Sequence, residues 1–103
     1  MDQRLTRFIN NEDAILLKNY IEEHPQHVTA AGIYIIKKGS LKLLVWFYQN
    51  GFPLTLEMIL ESISCHRVYC FFFILRFGSL TDDEKNHAMQ SAARESLKQT
   101  KSL

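Results

Sequence analysis

The sequence predicts an all-α fold in which short helices pack as antiparallel pairs and a last helix caps one end. Three observations carry this. Apolar residues recur at helical spacing along most of the chain, and no period-two alternation bounded by hairpin turns is present, so strands are not expected. A hydrophobic residue followed by threonine returns every 26 residues, as Val28-Thr29, Leu54-Thr55 and Leu80-Thr81. With 103 residues, 47% hydrophobic and 22% charged, the chain can build one core and is too apolar to be disordered.

Punctuation between the apolar stretches places each helix in turn. Each repeated threonine reads as an N-cap whose hydroxyl accepts from an unpaired amide of the first turn. Thr81-Asp-Asp-Glu84 has the form of a capping box, with acids facing the helix dipole. The preceding stretch ends in each case at a turn residue, Pro25, Gly51 or Gly78, and the two glycines suit a left-handed residue just past a helix end. Each unit also breaks near its middle, at Asp13, at Gly39-Ser40 and at His66. The expected helices are therefore about 2–9, 13–23, 30–38, 41–50, 56–64, 67–77 and 82–97. In the last, Ala88, Met89, Ala92, Ala93 and Leu97 fall on helical spacing, as a capping helix requires. Residues 1–97 are expected to form one domain, with 98–103 as a flexible tail.

The segment Gly39-Ser-Leu-Lys-Leu-Leu-Val-Trp-Phe-Tyr-Gln-Asn-Gly51 resembles the second helix of an ankyrin repeat, G-H-L-E-V-V-K-L-L-L-E-N-G. Asp13–Pro25 and His66–Gly78 fit the same frame with decay, so the resemblance covers about residues 5–93. Its period of 26 is shorter than the usual ankyrin unit of about 33 residues. The T-P-L-H tetrapeptide is missing from every unit, and the resemblance implies helix pairs that have lost the β-turn finger between repeats. A different helical solenoid or a compact helical bundle fits the same residues. The resemblance implies a non-enzymatic module, an adaptor or inhibitor that binds a protein partner in the cytoplasm, as short degenerate ankyrin-like factors of viruses and intracellular bacteria do. No cofactor is implied.

Composition narrows the alternatives. A net charge of +1, with five Lys and Arg against two acids over residues 32–81, leaves no footprint for nucleic acid. Nine of the 12 aromatics lie between Trp46 and Phe77, yet the apolar run 68–75 is closed by Arg67 and Arg76. As a helix it spans about 12 Å, against about 30 Å of bilayer hydrocarbon, so membrane insertion is not expected. The first residues lack the apolar stretch of a secretory signal, and Cys65 and Cys70 fall on different helix faces, as reduced thiols. There is no G-x-S-x-G, H-E-x-x-H or phosphate-binding loop; Cys65-His66 is the one Cys/His neighbour pair, and adjacent helical residues point about 100° apart. His24-Pro-Gln-His27 puts two imidazoles in a turn, short of the four ligands of a structural zinc site.

Two surfaces emerge as candidate binding sites. In the ankyrin register the inner face carries Tyr34, Lys37, Lys38, Glu61, Ser64 and Cys65, which the resemblance assigns to partner contact; an unoccupied solvated face fits the lysines equally. The outward positions of the second helices carry Lys42, Val45 and Gln49 in one unit and Tyr69, Phe72 and Arg76 in the next. Val45, Tyr69 and Phe72 are thus expected to form an exposed apolar patch with Trp46 at its margin, an interface to a partner or to a second copy. A register shift of one residue, or a fold of helix 82–97 over the patch, would make them core. An oligomeric subunit with this patch as its assembly interface is the alternative function, and a small enzyme using Cys65 a third.

Overall fold

The computed structural model describes the backbone of residues 3–101 and the side chains of residues 3–96. It is all-helical among these: α1 (Gln3–Asn10), α2 (Ala14–Glu23), α3 (Val28–Lys38), α4 (Leu41–Gln49), α5 (Leu56–Ser64), α6 (Val68–Phe77) and α7 (Asp82–Lys101), with a 3₁₀ turn at Pro25–His27. Helix α7 continues past the expected boundary at Leu97; Ser102 and Leu103 lie outside the described residues.

Local chemistry explains most of the helix starts. The Asp13 carboxylate accepts from Leu16 N at 3.2 Å, the Ser40 hydroxyl from Leu43 N at 3.2 Å and the Thr55 hydroxyl from Met58 N at 3.3 Å. At α7 the capping box is reciprocal: Glu84 N donates to Thr81 Oγ1 at 3.1 Å and Thr81 N to Glu84 Oε1 at 3.0 Å. Thr29 is the exception. It lies inside α3, because the Pro25–His27 turn runs directly into a helix that begins at Val28 with His27 at the cap.

Three sharp corners divide the helix pairs, and they keep a stricter period than the threonines do. Glu12, Gly39 and His66, each 27 residues from the next, take left-handed backbone at φ 52°, 78° and 57°. Each corner closes with the same two bonds. Asp13, Ser40 and Arg67 donate backward to Phe8, Ile35 and Ser62 carbonyls, while Glu12, Gly39 and His66 donate to Ile9, Ile36 and Ile63. The first break therefore belongs to Glu12, one residue before the expected Asp13, which instead matches Ser40 as the next N-cap. Gly51 is left-handed as expected, at φ 83°, whereas Gly78 is extended at φ −72° and ψ 151°. Its close neighbour is the Ile74 carbonyl, 2.6 Å from where a β-carbon would stand, so it serves a tight approach rather than a left-handed turn.

Side chains tie one corner to the next. Ser40 Oγ donates to Glu12 Oε1 at 3.0 Å, Lys38 Nζ to the Asn10 carbonyl at 3.1 Å, and Arg67 Nη2 to the Lys37 carbonyl at 2.7 Å. Helix α1 packs on α2 and α3, α3 on α4 and α5, α5 on α6 and α7, and α4 on α6. A single core runs through these contacts, from Leu5, Ile9 and Leu17 through Ile35, Leu44 and Phe47 to Ile59, Ile74 and Ala88. Removing that apolar surface from water drives the folding, since no single pair can bury its own stripe. Among the described side chains of α7 only Ala88 is fully buried; Ala92 is half-buried, Met89 and Ala93 are exposed, and the side chain of Leu97 lies outside the described residues. No described helix is long and apolar enough to cross a membrane.

Candidate functional site: two helical surfaces

The outer aromatic surface is built on α6. One face of this helix sends Cys70 and Ile74 into the core, and the chain's crowding of aromatics then leaves others facing out. Tyr69 is 78% exposed and Phe72 59%, and α7 does not cover them. Val45 and Trp46, expected at the same surface, are half-buried, so the patch is displaced toward α6 and gains Val68, Phe77 and Tyr48. Tyr48 of α4 packs edge-on against Phe73, with ring centroids 5.7 Å apart, and Phe77 lies 5.6 Å from it. These contacts hold α6 against α4, with the Tyr69 and Phe72 rings projecting outward from it. Arg67 and Arg76 flank it, the latter with its guanidinium 5.4 Å from the Phe77 ring centroid.

The inner candidate residues are only partly assembled. Tyr34, Lys37 and Lys38 line one groove of about 230 Å³ with Thr6, Ile9 and Asn10, and the Lys37 ammonium lies 5.5 Å from the Tyr34 ring centroid. Glu61 stands apart from that groove, half-buried, where its carboxylate accepts from the Cys65 thiol at 3.5 Å. The two expected binding surfaces are therefore a Tyr34/Lys37/Lys38 groove on α3 and a Tyr69/Phe72 platform on α6.

The reactive side chains are engaged elsewhere. Cys65 bonds Glu61, while His66, turned by the left-handed corner, places Nε2 3.9 Å from Glu95. Burial first, and then the hydrogen bond and negative charge of Glu61, push the Cys65 thiol above the usual cysteine range, with Arg67 and Lys37 opposing. Burial also raises Cys70. Both cysteines are free. A raised pKa leaves less thiolate at neutral pH, so alkylation of Cys65 should be slow at pH 7 and accelerate as pH climbs, while Cys70 should label only on unfolding. Intact mass after iodoacetamide at a series of pH values checks this; rapid, pH-independent labelling of Cys65 near neutrality would instead mark an activated nucleophile. The linkage has a definite sign. The fold holds both protons above the pH where the unfolded chain releases them, so this contribution to stability is complete at neutral pH and is lost as pH rises through the folded-state pKa.

His24 and His27 stack on each other, centroids 5.5 Å apart, and His27 Nδ1 meets the Tyr20 hydroxyl at 2.7 Å. The two imidazoles of this turn were legible in the sequence; the part of Tyr20 was not, although a Tyr seven residues before a His across a Pro turn is its local sign. Among the described residues no three His, Cys, Asp or Glu side chains converge as a metal site. Comparison with protein-family models, with curated proteins and with solved structures finds no match to this chain.

Proposed function

We propose that this protein is a non-enzymatic protein-binding module, an adaptor or inhibitor, whose helix pairs stack as a short ankyrin-like array without β-turn fingers. Its partner is a protein, engaged through the α6 platform and the α3 groove, in the cytoplasm. Three corners of one geometry at a step of 27 residues support the repeat reading, as do the side-chain bonds from each corner to the next. The single observation that carries the binding role is the exposure of Tyr69 and Phe72 on a helix braced from behind by α4. Clustered exposed aromatics with an arginine rim have the composition of interface centres, where anchors of this type carry most of the binding energy. Two free thiols are in keeping with a reducing compartment.

The test is affinity capture with mass spectrometry, comparing the wild type with Tyr69→Lys/Phe72→Glu and with Lys37→Glu/Lys38→Glu. Both variants change exposed side chains and should retain the wild-type circular dichroism spectrum. Specific partners should be lost from the α6 variant by about tenfold or more, the scale of one hot-spot anchor. If the same proteins are recovered with both variants, neither surface is the binding site. Light scattering on the purified protein addresses the assembly alternative: a dimer dissociated by Tyr69→Lys/Phe72→Glu would make the platform a contact between copies.

A further inference from the structure

We infer that Asn50 is a modification site guarded by the fold: it deamidates through a cyclic imide with Gly51 when the end of α4 opens, and the product cannot rebuild that end. Asn50-Gly51 is the one Asn-Gly pair in the chain, and both residues are exposed. Glycine sets no side chain against ring closure. Beyond its chain neighbours, no atom lies within 4 Å of where a Gly51 β-carbon would stand, so water reaches the pair.

The chemistry needs no co-reactant but water. The Gly51 nitrogen gives its proton to solvent and bonds to Asn50 Cγ. The Cγ–Nδ2 bond breaks, and Nδ2 takes a proton from water and leaves as ammonia. Water then opens the imide at one carbonyl or the other, yielding aspartate or isoaspartate. Asparagine is a thermolabile residue for reasons of this kind.

The folded turn withholds each part of that reaction. Asn50 Nδ2 donates to the Trp46 carbonyl at 2.8 Å, which draws the carboxamide back along α4. The Gly51 N–H, whose nitrogen is the nucleophile, donates to the Tyr48 carbonyl at 3.0 Å. Asn50 sits at φ −88° and ψ 9°, so the Gly51 nitrogen nearly eclipses the amide nitrogen of Asn50 itself. Tetrahedral geometry then holds the Asn50 Cβ a third of a turn away around the Cα–C bond, whereas a five-membered ring needs Cβ and the Gly51 nitrogen on the same side. A third bond locks this arrangement. Phe52 N donates to the Phe47 carbonyl at 3.2 Å, with the Phe52 ring 5.0 Å from Phe47 and 6.0 Å from Trp46. Rotating ψ of Asn50 breaks all three bonds at once, a local opening of the helix end.

The product then works against closure. A carboxylate at position 50 has no donor for the Trp46 carbonyl, and it stands at the negative end of the α4 dipole. Isoaspartate also routes the main chain through Cβ, and the added carbon moves the Gly51 amide off the Tyr48 carbonyl. Tyr48 braces Phe73 and Phe77 with its ring, so the damage reaches the contact between α4 and α6. None of this depends on the proposed binding role.

The test follows the full chain at mildly alkaline pH, with and without urea, by peptide mass spectrometry with fragmentation that separates aspartate from isoaspartate. In urea Asn50 should convert faster than Asn10, Asn11, Asn19 and Asn86, which are followed by larger residues. In the fold it should slow by about a hundredfold, since each of the three hydrogen bonds holds opening back by roughly a factor of five. Phe52→Leu loosens the packing of the turn and should speed conversion in buffer by about fivefold while leaving the rate in urea unchanged. Ile21→Val, a buried change in α2, should lower global stability without altering conversion in buffer. Asn50→Asp should unfold at lower urea than Asn50→Ala, which loses the amide without gaining charge. Equal rates in buffer and in urea, or no preference for Asn50 in urea, would overturn the inference. So would equal acceleration by Ile21→Val, which would make global unfolding the gate, or an Asn50→Asp protein as stable as Asn50→Ala, which would make the product harmless.

Discussion

Phe47→Ala should destabilise the protein by about 3–5 kcal/mol, a large part of the 5–15 kcal/mol that holds a domain together. Phe47 lies in the last turn of α4 with no exposed surface, its ring 5.0 Å from Phe52. Its carbonyl accepts from Phe52 N at 3.2 Å, closing the turn at the left-handed Gly51. Alanine would leave a cavity that this anchored turn cannot collapse to fill, so the transfer and cavity costs add. Urea unfolding followed by circular dichroism measures the effect as a lower midpoint at unchanged slope. Tyr69→Lys provides the contrast, because an exposed ring of the same aromatic cluster should cost no more than about 0.5 kcal/mol. Were the two results exchanged, the helical register of the aromatic segment would be wrong.

Gly32→Leu is expected to cost about 1–3 kcal/mol, although leucine is the better helix former by nearly 1 kcal/mol. Gly32 is buried in α3 where α5 crosses, and a β-carbon there would stand 2.6 Å from Met58 Sδ and 3.0 Å from Met58 Cε. Met58 is fully buried and has nowhere to retreat without moving α5. The decisive measurement is a double-mutant cycle. Met58→Ala alone should be destabilising by about 2–5 kcal/mol, but in the Gly32→Leu background it should cost much less, because the new side chain occupies the vacated space. Additivity within about 0.5 kcal/mol would show that the two sites do not share a contact.

How far the chain announced its own structure depends on the range of the interactions involved. Six of the seven expected helices appear within two residues of their bounds at both ends, because Asp13, Ser40, Thr55 and Thr81 act on amides three residues away. The last begins where expected and runs beyond Leu97 to Lys101. Thr29 failed as a cap because the Pro25 turn had already started the helix, a competition between neighbouring local signals. His66 was placed at its break by the repeat frame, and Glu12 was missed by one residue for another reason. Glutamate has no preference for left-handed backbone, and what holds it there are the paired bonds back to the preceding helix.

Of the candidate surfaces, the exposure of Tyr69 and Phe72 was legible from helical register alone, since a side chain's direction around a helix follows from its position. Val45 was not, because its burial depends on α6 lying beside α4. Glu61 was assigned to one surface with Tyr34, Lys37 and Cys65 by register; in the structure its carboxylate accepts from the Cys65 thiol, while Tyr34, Lys37 and Lys38 line a groove on α3. Gly32 carried no visible sign of its role, as a glycine within a helix reads only as a weak spot until the helix that crosses it is known.

The residue pattern alone thus determined helix content, helix ends and the outward direction of the α6 rings, all consequences of contacts within about four residues. Tertiary packing decided the rest: the 27-residue corner period, the close approach of α3 and α5 at Gly32, and the burial of Val45 beside α6. Each depends on which helix lies next to which, and that is set by burying one shared apolar core rather than by any local preference.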